Sequence, residues 1–169
     1  MGANLPPVQT VTHITVNISG SGGQIAQDSN MSNLLFSACK PPDWSIEAPK
    51  HLFHSNDGKV ETIISSVQNP KYGTMTLTQG WDPDTVLVKW MNKISDPTVT
   101  IDQKKADVTV VFMDNSGKPL FQWVGTGAIL TNLSHSGSEA SSNGVLTITA
   151  TLDADTWALC GPGSSTPLS

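Results

Sequence analysis

Several stretches of the chain hold residue types at spacings that chemistry uses. His51 and His54 stand three apart, with Asp57 close behind, in HLFHSND. Those types ligate metals, but ligands at such spacing need a helix to gather them on one face. Pro49 before and Asp57-Gly58 after mark a loop instead, so two partly exposed loop histidines and no metal are expected. Asp153 and Asp155 offer the paired carboxylates of a hydrolase. Neither has a histidine or a basic residue nearby in sequence, so solvated charges are expected, and a small hydrolase built on Asp153, Asp155 or His54 is the weakest of the readings. Gly20, Gly22 and Gly23 lack the GxGxxG order and a following strand–turn–helix. No serine sits in a nucleophile elbow. Among the tryptophans, Trp90 belongs to a helical stripe, Trp81 precedes a helix cap and Trp123 lies in a strand. Trp44 and Trp157 remain as candidates for a sugar-stacking platform. The chain is therefore expected not to be an enzyme and to need no cofactor.

The elements that carry these residues are mostly strands. Residues 12–19 alternate, with Ile14, Val16 and Ile18 on one side, and 73–79 alternate with Met75 and Leu77 on one side and threonines on the other. Residues 34–40 and 60–67 read as further strands, and 106–114 with 120–127 as a hairpin around Asn115-Ser116-Gly117, where Gly117 supplies a positive φ. Residues 127–133 read equally as strand or irregular structure, and 145–153 as the last strand. One helix interrupts them, at about residues 83–95. Asp82 is its N-cap, Pro83 its first residue, and Val86, Leu87, Trp90, Met91 and Ile94 form one apolar stripe. Residues 41–59 read as one long loop, and 161–169 as a flexible tail after a single domain spanning 1–160. The fold class is mainly β: a small antiparallel barrel or sandwich with one docked helix. Such a sheet has edges that must close on themselves or pair with a neighbour.

The chain has 169 residues, a formal net charge of −5 and nine basic residues, all lysine. A nucleic-acid reader without arginine lacks the bidentate phosphate ligand. Nothing resembles an export signal, and Pro6 stands where a myristoylation motif takes Ser or Thr. No apolar run approaches a membrane span. A soluble chain made in the cytosol is expected, with Cys39 and Cys160 as free thiols.

The segment NPKYGTMTLTQGWDPDTVLVKWMNKI, residues 69–94, resembles the signature of the tube proteins of contractile phage tails. That family is shared with contractile injection systems and type VI secretion tubes. Its aromatic-Gly strand, closing glycine, capped helix and central tryptophan correspond to Tyr72, Gly73, Met75, Leu77, Gly80, Asp82, Pro83 and Trp90. Its next strand–turn–strand corresponds to 108–123, with DNSGKP as the turn and Trp123 in the second strand. The family's phenylalanine after this hairpin and its arginines are missing. The resemblance spans roughly residues 34–153.

The resemblance implies six subunits in a ring, rings stacked into a hollow tube, and DNA passing through the lumen without specific binding on sheath contraction. It implies sheath, baseplate and terminator partners, no membrane anchor, and a place in a virion tail assembled in the bacterial host cytoplasm. By the same resemblance the long 41–59 loop makes ring-to-ring contacts through Glu47, Lys50, His51, Phe53, His54 and Asp57. A lumen that is neutral or negative suits a conduit, because repeated phosphate contacts would hold DNA fast. The inner tube of an effector-delivering injection system is the near alternative, and a carbohydrate-binding β-sandwich using Trp44 and Trp157 the alternative of another class.

Overall fold

The computed structural model describes residues 11, 13–19, 34–54, 59–64, 70–81, 86–136 and 146–167. Its framework is a set of antiparallel strands: β1 (His13–Ser19), β2 (Leu34–Phe36), β3 (Ala38–Lys40), β8 (Met75–Gly80), β9 (Ala106–Met113), β10 (Pro119–His135), β11 (Thr147–Asp153) and β12 (Thr156–Cys160). They are ordered β2-β1-β9-β10-β11-β8-β3, with β12 on the free side of β10. Two short ribbons stand apart. One pairs β4 (Trp44–Ser45) with β7 (Lys71–Tyr72), the other β5 (Lys50–His54) with β6 (Val60–Ile64).

Two segments turn the sheet over the core. The 17-residue strand β10 pairs β9 and β12 with its first half and β11 with its second. Its register shifts between Gly125 and Ala128 and again between Leu130 and Asn132, and bulges of this kind bend a strand. At the first shift Gly127 has φ +63° and its N–H donates to Asp107 Oδ1 at 2.9 Å. A Cβ on Gly127 would meet Asp155 Oδ2, so glycine is required twice over there. On the opposite side the 34–40 segment breaks at Ser37, pairing β1 before it and β8 after it. Ser37 N donates to Thr78 O at 2.8 Å. The 34–40 segment thus links the β1 end of the sheet to the β8 end, and the described ladder does not close as a barrel.

Strict alternation produces the core. β9 reads buried, half-buried in turn along ADVTVVFM, and β11 does the same along TITATLD. Helix α1 (Val86–Ser95) covers this core with buried Val86, Leu87 and Trp90. Each such side chain contributes roughly 1.5–3 kcal/mol by leaving water. The buried indole of Trp90 donates through Nε1 to Lys104 O at 2.9 Å, which ties α1 to the one-turn helix α2 (Ile101–Lys104). The helix expected at 83–95 is thus present from Val86. The caps Asp82 and Pro83 lie outside the described residues.

Several expectations change. Residues 41–59 are not one loop, because β4 and β5 form within them; both pair with strands from 60–72 that the sequence alone does not assign to them. Residues 127–133 are strand, the direct continuation of the hairpin. Leu152 does not end the sheet, since β12 follows. Beyond it, residues 161–167 turn back on the sheet: Gln122 Nε2 donates to Ser164 O at 2.7 Å and Pro167 bridges Cys160. No helix among the described residues is long and apolar enough to cross a membrane.

Candidate assembly surfaces

The outer face of the half-sheet β3-β8-β11-β10 is built from hydroxyls. Its inner face carries Met75, Leu77, Ile148, Ala150 and Leu152, all fully buried, so the period of two turns Thr76, Thr78, Thr147, Thr149 and Thr151 outward. Thr149 stands opposite Thr78 on one side and Ser134 on the other; Thr151 stands opposite Thr76 and Asn132. Threonine suits this place because its branched Cβ favours a strand and cross-strand threonines hydrogen-bond. Thr78 Oγ1 and Thr149 Oγ1 lie 3.1 Å apart, and Thr131 Oγ1 donates to Thr151 O at 3.1 Å. Several of these hydroxyls therefore bond within the face. Among the described residues, charge enters it only at the margins. Lys40 sits on the edge strand 3.6 Å from Asp43, and Asp153 sits at the end of β11, where Oδ1 accepts from Ala154 N at 3.0 Å.

A second surface has the opposite character. On the ribbon β4–β7, Trp44 is 64 % exposed and Ile46 beyond it 57 %. Beside them Lys71 Nζ reaches Glu47 Oε1 at 2.5 Å, an exposed pair that adds little by itself. Gly73 anchors the ribbon: its N–H donates to Asp43 O at 2.6 Å, and a Cβ would press on the Asp43 carbonyl at 3.3 Å. A cavity of about 370 Å³ opens behind the ribbon, lined by Trp44, Tyr72, Trp123, Thr156, Trp157, Ala158, Leu159 and Pro167.

The residues singled out from sequence fall as follows. Glu47 and Lys50 are exposed. His51, Phe53 and His54 belong to β5, opposite Ile63, Glu61 and Val60, and Asp57 lies outside the described residues. Asp155 is not merely solvated: Lys105 Nζ contacts both its oxygens at 2.8 Å, which makes it a strut beneath the β10 bulge. Trp157 is 2 % exposed, so it is no stacking platform, although it shares the cavity with Trp44. Tyr72 lines that cavity, Trp90 and Trp123 are core, and Gly117 takes φ +77° in the hairpin. A Cβ at Gly80 would meet open space, so nothing among the described residues explains that glycine. The sequence missed Ile46 as a surface residue, although an apolar Trp-x-Ile in a Pro-rich stretch is a signal for one.

Cys39 and Asp114 are among the described groups with shifted protonation. Burial pushes the Cys39 thiol up to about 12, and Cys160 is fully buried; both are free. The Asp114 carboxyl is held below its ordinary range by the Ser116 hydroxyl first, then by the Lys118 N–H. Its Oδ1 accepts from Ser116 Oγ at 2.6 Å and from Lys118 N at 2.9 Å, which fixes the hairpin turn.

Comparison with known proteins agrees with this architecture. A chain of the anti-feeding prophage baseplate superposes with a TM-score of 0.71 at 14 % identity, covering 95 % of this chain and 99 % of that one. A chain of the sheath–tube complex of PVC, an extracellular contractile injection system, superposes at 0.62 with 22 % identity, covering 91 % and 92 %. Hcp1 from Flavobacterium johnsoniae superposes at 0.50 with 15 % identity, covering 89 % and 96 %. At these identities the likeness is one of fold. No curated protein matches the chain. The model of the T4-like virus tail tube protein gp19 family matches residues 29–158, and the chain belongs to that family of tail tube proteins.

Proposed function

We propose that this subunit forms closed rings of six that stack into a hollow tube, with the threonine face of β3-β8-β11-β10 turned to the lumen, and that the tube conducts DNA when a surrounding sheath contracts. The observation that carries this is the contrast on that face: a regular, half-buried sheet surface with charge only at its margins. DNA binding strengthens with each phosphate neutralised. A wall of threonine hydroxyls, of which those of Thr78 and Thr149 bond each other, that places no lysine near its centre among the described residues offers a sliding duplex nothing to grip. Pairing β3 or β12 with a neighbour's strand satisfies the edges a lone subunit leaves open, and a ring is the closed form of such a head-to-tail contact.

The apolar ribbon at Trp44 and Ile46, with Glu47, Lys50 and the β5–β6 hairpin bearing His51, Phe53 and His54, makes the contacts between rings, joined by Asp57. Sheath, baseplate and terminator proteins are the outer partners, and assembly takes place in the bacterial cytoplasm before the tube enters a virion. A neutral wall serves an effector protein as well as DNA, so an injection-system tube is the second reading; capsid and terminase genes beside this one separate the two.

Negative-stain electron microscopy of the purified chain, with its mass by light scattering, tests the assembly. Hollow tubes or sixfold rings are expected. A monomer at every concentration, even with a tube-nucleating baseplate present, would contradict it.

A further inference from the structure

Gly80 closes β8, and a side chain there would clash with nothing. Its φ is not positive, and a Cβ would meet no described atom within 4 Å. Strand pairing runs past it, since Trp81 N donates to Leu146 O at 2.8 Å. A glycine inside a ladder weakens the strand, and it marks places where another backbone or a ligand comes close. Gly80 continues the outward row of Thr76 and Thr78, with Thr147 opposite. Next to it Trp81 is 38 % exposed, and its ring meets the exposed His135 ring edge to face at 4.6 Å. The far end of β8 therefore presents bare backbone beside an open aromatic pair.

Elsewhere the molecule shows what covers such a glycine. Trp157 stands directly opposite Gly125, and its six-membered ring fills the place a Cβ on Gly125 would take. Gly80 has the same bareness and no ring upon it. An exposed ring lies at the other end of the same strand. The ribbon bearing Trp44 and Ile46 is fixed just ahead of β8, by the pairing of Trp44 with Tyr72 and by the Gly73 N–H on Asp43 O. From Met75 to Gly80 alone β8 spans about 17 Å, so Trp44 does not reach Gly80 of its own chain.

We propose that Trp44 and Ile46 of one copy dock on Gly80 and Trp81 of a second copy in the next ring. A stack of rings repeats one head-to-tail contact along its axis, and that contact needs two different surfaces at opposite ends of each subunit. The described residues supply an exposed apolar surface at each end of β8. The bare glycine lets an indole lie close on the backbone, and the Trp81–His135 pair gives that indole aromatic neighbours. This inference rests on the proposed assembly and names the receiving half of its ring-to-ring contact.

The test is a cross-link in assembled tubes of the full-length chain. The chain carries Ala48→Cys, two residues past Ile46, and Thr147→Cys, opposite Gly80. A short bis-maleimide joins thiols that come together, while Cys39, its thiol pushed up to about 12, and buried Cys160 stay silent. The expected result is a ladder on a denaturing gel that climbs past six chains, with monomers from either cysteine alone. A ladder that stops at six would put the contact inside one ring and overturn the proposal. Dimers from Ala48→Cys alone would mean that ribbon meets ribbon, which also overturns it, as would tubes that give no ladder. Gly80→Thr is the second variant. It should melt no lower than the parent, because threonine favours a strand, and should lower tube yield at least tenfold. Tubes from Gly80→Thr at the parental yield would overturn the proposal as well. Tubes without the ladder leave self-assembly standing and remove only this contact; a parent chain that never forms rings or tubes removes the assembly and the contact with it.

Discussion

The threonine face of β3-β8-β11-β10 and the Trp44 ribbon are both sheet, and they do opposite things. On the first, every second residue is buried beneath a row of threonine hydroxyls, of which those of Thr78 and Thr149 bond each other. On the second, a two-residue pairing holds an indole 64 % exposed. A lone subunit gains nothing from leaving that indole in water, and exposed apolar patches of this kind mark contact sites. The comparison teaches that this fold keeps an exposed apolar ribbon apart from a hydroxyl-lined sheet face, and under the proposed function the first holds a neighbour and the second holds nothing.

The largest effect should come from the ribbon. Trp44→Glu with Ile46→Asp should abolish tubes while the subunit still melts within a few degrees of the parent. A truncated aromatic anchor costs an interface about 2 kcal/mol or more, roughly 30-fold in association for each contact. Sedimentation velocity beside a melting curve reads both quantities, and intact tubes would erase the distinction between the surfaces. The complementary change is Thr78→Lys with Thr149→Lys. Tubes should still form, and they should now retain DNA at low salt. Between 50 and 200 mM salt the retention should fall by about 10³ or more, as for any binder making six to ten phosphate contacts. Parent tubes should retain none at either salt, measured by filter binding.

A smaller effect calibrates the scaffold that keeps the two surfaces apart. Gly125→Ala puts a methyl 2.4 Å from the Trp157 ring, and should cost about 1–3 kcal/mol by overpacking. Thermal melting would show it as a drop of roughly 2–12 °C. The smallest concerns the hairpin. Asp114 has a lowered folded-state pKa, so its turn contributes stability above the ordinary carboxylate value of 3.8 and loses it as pH falls through the lowered one. Asp114→Ala should remove that part of the acid dependence in a pH series of melts and leave assembly unchanged.

The sequence made the threonine face legible and hid the ribbon, for physical reasons. TMTLTQ and TITATL alternate because one face of each strand is buried, and alternation is what a reader of strands detects. The helix declared itself through Val86, Leu87 and Trp90 on one stripe. Residues 41–59 gave no period, since β4 is two residues long and its partner β7 lies more than twenty residues away. Prolines at 41, 42 and 49 argued for a loop, and long-range pairing overrode them. Strand β12 was hidden by Ala154-Asp155, which reads as an ending, whereas Asp155 N donates to Thr126 O at 3.1 Å and returns the chain to β10. Trp157 reads as a candidate for exposure because nothing local in sequence says that its cross-strand partner Gly125, thirty-two positions away, leaves room for its ring. The lysine that binds Asp155 was equally invisible, fifty positions away in sequence.

The most direct test is to locate the threonine face in an assembled tube. Thr149→Cys, labelled with a heavy-atom maleimide and imaged end-on by cryo-electron microscopy, reports its radius, with Cys39 and Cys160 as unreactive background. The expected result is a ring of added density on the wall of the lumen. Density on the outer rim of the tube would contradict the account.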